Sequence, residues 1–277
     1  MVDRKYGWKK QKADPRDHIY RAPAIAAIAL PKVVDLRKYD SPIEDQGGIG
    51  ACTAHAVSGA LQLLEIKKRA PSIGVLLWCK NLFLGIWRAV SAFFANRPFV
   101  YSKNLSRLFI YYNARVLEGT SDYDSGAEIR DGVKVVAQQG ACLEKDWNYN
   151  NSYLIKPTDN CYKDALPHLL TEYKAITTLD DMRGCLASGF PFIFGMIVYD
   201  SFESPQVQKT GIVNMPQPNE GVKGGHAVMA VGYNDDTQRF LCRNSWGSSW
   251  GQGGYFTIPY QYVSDPTLAT DFWMLRR

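Results

Sequence analysis

Residues 45–56 read DQGGIGACTAHA, a glycine-rich loop that runs directly into a helical pattern. Gly47, Gly48 and Gly50 leave the backbone free to turn tightly, and from Cys52 onward apolar residues recur at intervals of three and four. This spacing predicts an amphipathic helix whose first residue is Cys52. The free N–H groups and partial positive charge of a helix N-terminus stabilise a thiolate, so Cys52 is a candidate nucleophile.

A glutamine precedes this cysteine by six residues. The side-chain amide of Gln46 can direct an N–H at an oxygen that gains negative charge, beside the backbone N–H of Cys52. A nucleophile and the donors of an oxyanion site would then come from one continuous segment.

A base for this thiol has to come from elsewhere in the chain. His226 lies in GGHAVMAVGY (224–233), whose apolar run predicts a buried strand that holds the ring rigidly. Eighteen residues later, Asn244 lies in RNSWGSSWGQGGYF (243–256) on a turn between strands. An amide oxygen that accepts the proton of one ring nitrogen fixes the imidazole tautomer and aims the other nitrogen at the thiol. Trp246 can shield that polar pair from water.

These three segments resemble, in chain order, the cysteine, histidine and asparagine segments of papain-like (C1) cysteine peptidases. VVDLR (33–37), LSRLFIYYNAR (105–115) and DSGAEIRDGVKVVAQQGAC (124–142) extend the resemblance over most of residues 33–260. It implies peptide-bond hydrolysis without a cofactor. The roles it implies are the oxyanion amide for Gln46, nucleophile for Cys52, base for His226, orienting partner for Asn244, cover for Trp246, and binding of the substrate main chain for Ser125 and Gly126.

The distribution of patterns predicts the fold class. Residues 105–119 and 128–140 have one apolar face and a glycine just beyond the end, as helices do. After about residue 150, short β-branched and aromatic runs alternate with turn residues, which is typical of antiparallel strands. We therefore expect an α+β, papain-like two-lobe fold: a helical lobe over about 34–150, a β-rich lobe over about 151–277, and a cleft between them.

The resemblance is incomplete around the nucleophile. Ile49 stands where many papain relatives have a cysteine, so the disulfide usual there cannot form, and Thr53 and His55 replace aromatic residues. These departures place the chain closer to disulfide-poor microbial or viral members than to lysosomal cathepsins.

An insertion separates the matching segments. Cys52 and His226 lie 174 residues apart, against roughly 130–150 in papain and its near relatives. The insertion is expected over about 70–97, where the apolar stretch 74–94 is interrupted by Lys80, Asn81 and Arg88. These polar residues argue against a simple membrane span. A helical hairpin within the domain and a membrane or protein contact both remain open.

Residues 1–33 form an extension ahead of the main domain, with a boundary near Pro31. It resembles the short leader of microbial family members and is too short for the helical prodomain of cathepsins. It is either a short inhibitory propeptide of a zymogen or a segment that packs on the body for structural reasons.

The three remaining histidines are not expected to take part in catalysis. His55 could serve as a base or as half of a metal site, but no second ligand pair stands at a suitable spacing, so no metal is expected. We expect it to pack at the lobe interface or to face solvent. His18 and His168 are expected on the surface.

Composition narrows the partners. The net charge of +5 on 277 residues is mild and the cations are scattered, which argues against nucleic acid as a partner. We expect a monomer that acts on proteins or peptides. Six cysteines form no tight framework, and the polar N-terminus carries no secretory signal, so secreted and cytoplasmic locations both stay open.

The function we expect is that of a cysteine-type endopeptidase. Two alternatives use the same residues differently. A papain-fold pseudoenzyme or binding module would keep the cleft without the chemistry, and a transpeptidase or isopeptidase would keep the Cys, His and Asn chemistry on another substrate.

Overall fold

The computed structural model describes residues 4–23, 30–69, 104–150 and 152–277, and the structural statements below concern these ranges. Helices dominate the first half and an antiparallel sheet the second, which confirms the α+β expectation. The helices are α1 (Cys52–Arg69), α2 (Arg107–Leu117), α3 (Ile129–Gln138), α4 (Asp159–Ala165), α5 (Leu179–Ala187), α6 (Pro205–Thr210) and α7 (Tyr260–Ser264). The strands are β1 (Trp8–Lys9), β2 (Val33–Asp35), β3 (Ala127–Glu128), β4 (Glu172–Ala175), β5 (Phe192–Tyr199), β6 (Val222–Asn234), β7 (Arg239–Arg243), β8 (Tyr255–Pro259) and β9 (Ala269–Arg276).

The α1 helix begins at Cys52, as predicted, but it is not amphipathic. Every residue from Cys52 to Ile66 is buried, because α1 packs on α2 and α3 on one side and on β6 on the other. Small residues permit this close approach: a Cβ atom on Gly59 would lie 3.2 Å from Nε of Arg243. The helix is therefore the shared core element of the two lobes.

The two further predicted helices are confirmed as α2 and α3. Ser106 caps α2, since its side-chain oxygen accepts a hydrogen bond from the N–H of Phe109 at 3.1 Å. Gly119 and Gly140 follow the two helix ends with φ of 67° and 78°, the left-handed conformation that terminates helices.

The sheet of the β-rich part has the order β4-β9-β5-β6-β7-β8, with β2 paired to β6 as well. The runs that predict strands, FPFIFGMIVY (190–199), HAVMAVGYN (226–234), RFLCRNSW (239–246) and GGYFTIP (253–259), correspond to β5, β6, β7 and β8. The long central strand β6 pairs antiparallel with β5 and β7, which places His226 on a strand supported from both sides.

The N-terminal extension lies along the body wherever the structure describes it. Residues 8–9 pair in parallel with β3, the N–H of Tyr20 donates to the carbonyl of Ala175 at 2.7 Å, and Arg130 binds the carboxylate of Asp17 at 2.6 Å. The extension therefore crosses from the helical lobe to the sheet.

The predicted insertion over 70–97, with its apolar stretch 74–94, lies outside the described residues. Within the described ranges, no helix is long and apolar enough to cross a membrane. The five cysteines in those ranges, Cys52, Cys142, Cys161, Cys185 and Cys242, are all buried free thiols.

Candidate active site

Cys52 is fully buried at the first position of α1, directly after the glycine loop. Burial raises the pKa of its thiol, and backbone N–H groups of Ala227 and Gly7 at the sulfur pull that pKa partly back. Ala227 follows His226 on β6, so the helix N-terminus and the histidine strand meet at this sulfur. Gly7 belongs to the N-terminal extension.

The ring of His226 is held by Asn244. Nε2 lies 2.9 Å from Oδ1 of Asn244, and the same oxygen accepts the N–H of Ser245 at 2.8 Å. Because this oxygen is an acceptor, Nε2 of the neutral ring carries the proton and Nδ1 keeps its lone pair. Among the described residues, Nδ1 has no hydrogen-bond partner. Burial lowers the pKa of His226 to about 4, so the ring is neutral in this structure at pH 7.

The indole of Trp246 packs against the imidazole of His226. The two ring centroids are 5.2 Å apart, and Phe202 and Trp250 pack edge-on against the indole at 5.2 and 5.3 Å. The His226–Asn244 hydrogen bond is thereby enclosed in an aromatic wall, which strengthens it by excluding water.

Gln46 is fixed by three hydrogen bonds. Its Oε1 accepts the hydroxyl of Ser245 at 2.6 Å, which turns Nε2 the other way. Nε2 donates to the carbonyl of Ile49 at 3.0 Å and to the carbonyl of Lys5 at 3.1 Å. The second acceptor is a peptide carbonyl from the remote N-terminal extension. Ser245 was missed in the sequence, although it stands next to Asn244.

Residues 4–9 of the extension fill the cleft around Cys52, and we call them the leader strand. The ring of Tyr6 lies 6.2 Å from that of His226. Gly7 passes between Gly50 and Gly126 so closely that a Cβ atom on Gly7 would lie 1.9 Å from the carbonyl oxygen of Gly50. Only glycine fits this passage.

Trp8 occupies a pocket between β5 and β6. Cβ atoms on Gly195 and Gly225 would lie 1.9 and 2.6 Å from its indole ring, so these two glycines make the room. Its Nε1 donates to Oδ2 of Asp271 at 3.0 Å. The tryptophan is 8% exposed and thus one of the buried anchors of the leader strand.

The two residues predicted to bind the substrate main chain both contact the leader strand. Gly126 lies against the backbone of Gly7, and the next residue, Ala127, donates its N–H to the Gly7 carbonyl at 2.8 Å. The hydroxyl of Ser125 accepts a hydrogen bond from Nζ of Lys9 at 3.3 Å. The segment therefore already binds an extended backbone, while its role toward a substrate stays a prediction.

Two histidine expectations need correction. His55 does not face solvent: it is 5% exposed and packs edge-on against Tyr149 at 5.2 Å, in a small pocket that Arg243 and Asn244 also line. The alternative expectation, packing between the lobes, holds. His168 is not on the surface, because its Nδ1 lies 2.7 Å from Oε1 of buried Glu65. The third, His18, is exposed as expected.

Sequence reasoning also missed the carboxylates that hold the leader strand. The signal that could have found them was the cationic stretch RKYGWKKQK at residues 4–12, which needs acidic partners wherever it docks. The carboxylates in contact with the leader are Asp45, Glu118, Asp124, Glu203 and Asp271. Within the described ranges, no group of three or more His, Cys, Asp or Glu side chains could hold a metal ion.

An α+β fold with a thiol at a helix N-terminus, next to a histidine held by an amide, defines a cysteine hydrolase with its site between two lobes. Comparison with known proteins gives the family. The model of the papain family cysteine proteases matches residues 117–271, more than half of the chain. The chain belongs to this family of peptidases. The matched residues include His226 and Asn244 and leave out Cys52.

Two relatives cover almost the whole chain. An uncharacterized peptidase C1-like protein of Acanthamoeba polyphaga mimivirus is 38% identical over 99% of this chain and 88% of its own. The crystal structure of xylellain, a cysteine protease from Xylella fastidiosa, is 37% identical with a TM-score of 0.81, covering 100% of this chain and 98% of that one. Both support the expected similarity to microbial and viral family members.

More distant relatives show the fold alone. The bromelain protease of Ananas comosus, solved in complex with the E64 inhibitor, is 18% identical with a TM-score of 0.61 and covers 89% of this chain and 99% of that one.

Proposed function

We propose that the chain is an endopeptidase in which Cys52 is the nucleophile. Its sulfur attacks the carbonyl carbon of a peptide bond while Nδ1 of His226 takes the thiol proton. The resulting oxyanion binds Nε2 of Gln46 and the N–H of Cys52. The C–N bond then breaks, and the histidinium gives its proton to the departing amine.

The second half of the reaction restores the enzyme. Water attacks the thioester carbon, His226 removes a proton from the water, and the C–S bond breaks as the thiol is re-formed. Asn244 acts through His226 by keeping one proton on Nε2, so that Nδ1 is the nitrogen that takes up and releases the transferred proton.

The hydrogen bond from Gln46 to the Lys5 carbonyl carries this proposal. A peptide carbonyl on an amide donor, with a peptide N–H of Gly7 at the adjacent sulfur, is the contact set that an extended peptide in the cleft would make. A bound substrate would make the same two contacts, with Nε2 of Gln46 and with the sulfur of Cys52.

We further propose that the leader strand is inhibitory. It fills the cleft with a buried tryptophan and closes over His226 with Tyr6, so a substrate cannot enter until residues 4–9 leave. The segment holds few backbone hydrogen bonds with the body, since β1 has only two residues, and its release is therefore compatible with an intact fold.

Labelling with the epoxide E-64 in reducing buffer tests the chemistry. We expect one inhibitor per chain on Cys52, none on Cys52→Ala, and cleavage of a fluorogenic peptide library that E-64 abolishes. If protein whose leader has been released shows neither labelling nor turnover, the chain is a pseudoenzyme and the peptidase proposal is wrong. Transfer of the acyl group to an added peptide amine would assign a transpeptidase.

A time course tests the leader. Full-length protein incubated in reducing buffer is expected to lose mass by cleavage near Pro31 as activity rises, and Cys52→Ala is expected to stay intact. A stable full-length chain with full activity from the first measurement would contradict inhibition and would assign residues 1–33 a structural role.

A further inference from the structure

The cations of the leader strand are each matched by a carboxylate of the body. Lys5 binds Asp124 at 2.8 Å, and Lys9 forms an ion pair with Glu118. Arg4 pairs with Asp45, a residue of the glycine loop that precedes Cys52.

Uncharged donors of the leader also end on carboxylates. The hydroxyl of Tyr6 donates to Oε1 of Glu203 at 2.5 Å. Oδ2 of Asp271 accepts both the indole N–H of Trp8 at 3.0 Å and the backbone N–H of Gln11 at 2.9 Å. Five carboxylates thus surround the strand that occupies the cleft.

Release of the leader strand leaves these five negative charges without the leader's donors. Among the described residues, the hydrogen-bond donors that stay on three of these carboxylates are uncharged: the Gly50 N–H and the Tyr111 hydroxyl on Asp124, the Glu128 N–H on Glu118, and the Gly47 N–H on Asp45. Asp124 also interacts electrostatically with Arg115. Lys223, the cation next to Glu203, is already paired with Asp200 at 2.9 Å.

Asp271 loses two of its donors when the N-terminal extension leaves. It lies at the base of the Trp8 pocket, and burial raises the pKa of its carboxyl while hydrogen bonds from the Gln11 N–H, the Thr270 hydroxyl and the Trp8 indole lower it. The Thr270 hydroxyl stays, at 3.0 Å from Oδ1. Oδ2 loses both the Gln11 and the Trp8 donor, and a side chain that enters the pocket with an N–H group of its own satisfies this oxygen.

The charge distribution along the chain shows the same complementarity. Residues 1–33 hold eight of the 32 Lys and Arg and three of the 27 Asp and Glu. Residues 34–277 therefore carry 24 of each and have no net charge. The acidic cleft is therefore a local feature of a body without net charge. The N-terminal extension, residues 1–33, supplies the whole net charge of +5.

We propose that the cleft selects cationic peptide segments, rich in Lys and Arg, with a nitrogen-donor side chain in the Trp8 pocket on Asp271. This inference rests on the proposed peptidase function and names its substrate class. The leader strand is a chemical imprint of that substrate: residues 4–9 carry three cations, Arg4, Lys5 and Lys9, and no anion. Complementary charge both steers such peptides to the cleft and rejects acidic ones.

The test uses the full-length chain with Trp8→Ala, which removes the buried anchor of the leader. Two quenched fluorescent peptides share one apolar frame and differ only in four positions, all Lys or all Glu. We expect kcat/KM to favour the Lys peptide by at least about tenfold at low salt, and the ratio to shrink as salt screens the charges.

Neutralising single carboxylates locates the effect. Asp124→Asn and Asp271→Asn, each added to Trp8→Ala, are expected to lower the Lys/Glu ratio by about two- to fivefold, as partly exposed ion pairs do. Asp164→Asn, which neutralises an exposed carboxylate on α4, is the matched control and should leave the ratio unchanged. Equal turnover of the two peptides, or an unchanged ratio in both cleft variants, would overturn the proposal.

Binding separates this inference from the catalytic proposal. Fluorescence anisotropy of the same peptides on Cys52→Ala with Trp8→Ala needs no turnover. Charge-selective binding by this variant, together with no cleavage by the Trp8→Ala chain that keeps Cys52, would support the acidic cleft and reject the peptidase mechanism. Cleavage without charge selectivity would support the peptidase mechanism and reject the cationic substrate class.

Discussion

Asn244 decides which nitrogen of His226 is basic. Its oxygen receives the Ser245 N–H at 2.8 Å and therefore cannot be exchanged with its NH2 group without losing that bond. The proton of the imidazole is consequently held on Nε2, 2.9 Å from the same oxygen. One backbone N–H thus fixes the amide, the amide fixes the tautomer, and the tautomer leaves Nδ1 as the base.

Replacing Gln46 tests the oxyanion role at the residue scale. We expect Gln46→Ala to lower kcat/KM by about 10²- to 10³-fold, the cost of one lost oxyanion donor, after the same leader-release treatment as the wild type. Gln252→Ala removes an amide whose Nε2 only donates to the Thr210 carbonyl and serves as the control. A loss under about threefold, far below the cost of one such donor, would show that Gln46 is not that donor.

Among the elements, α1 carries Cys52 at its first position and forms the centre of the core. Its far end is secured by Glu65, which is 2% exposed and meets His168 and the C-terminal Arg277. Both partners come from the second half of the chain. The two ends of α1 are thus fixed in different ways. A glycine loop precedes Cys52 at the first end, and a buried charge cluster surrounds Glu65 near the other.

Glu65→Gln is expected to lower the free energy of unfolding by about 3 kcal/mol, because it leaves a buried ionic cluster without its anion. Urea unfolding followed by tryptophan fluorescence measures this. Glu172→Gln, on a partly exposed pair with Lys174, should cost under about 1 kcal/mol. An equal loss of unfolding free energy in the two variants would show that the Glu65 cluster contributes no more to stability than a surface ion pair.

The leader strand depends on one glycine. A Cβ atom on Gly7 would lie 1.9 Å from the carbonyl oxygen of Gly50. Gly7→Ala should therefore prevent the leader strand from docking in the cleft, and it changes no residue of the main domain. We expect this variant to react with E-64 at once, without the lag of the wild type. Lys10→Ala changes an exposed residue of the same extension and should keep the lag. An unchanged lag in Gly7→Ala would mean that the leader does not control access.

At the scale of the whole molecule, two buried histidines link stability to pH. Burial lowers the pKa of His226 to about 4 and that of His55 to about 3, against 6.5 in the unfolded chain. Between these values the unfolded state binds the protons, so stability rises with pH and is lost as the pH falls from about 6.5.

The free energy of unfolding should therefore fall by about 2 kcal/mol per buried histidine between pH 7 and pH 5. Denaturant titrations at the two pH values measure it. His55→Phe is expected to remove about half of the drop, and His18→Gln, at an exposed position, none of it. An identical drop in His55→Phe would show that His55 is not buried in its neutral form.

How far the sequence predicts the site depends on how local each signal is. The helix start at Cys52 and the strand at His226 were predictable from glycine punctuation and apolar runs. The burial of His55 and His168 was not, because each depends on partners more than 90 positions away, Tyr149 for one and Glu65 for the other. Periodicity likewise suggested a one-sided α1, since it cannot report that a second layer covers the other face.

The sequence by itself determined the papain-family fold and predicts the chemistry: Gln46, Cys52, His226 and Asn244 stand in segments whose residue types and order indicate their roles. Only the tertiary structure decided which segment occupies the cleft around these residues. The leader strand contacts five carboxylates from four separate segments of the chain, and no local pattern encodes which carboxylates meet its cations. Those charges lie together only in the folded chain, because the carboxylates that line the cleft come from segments far apart in the sequence.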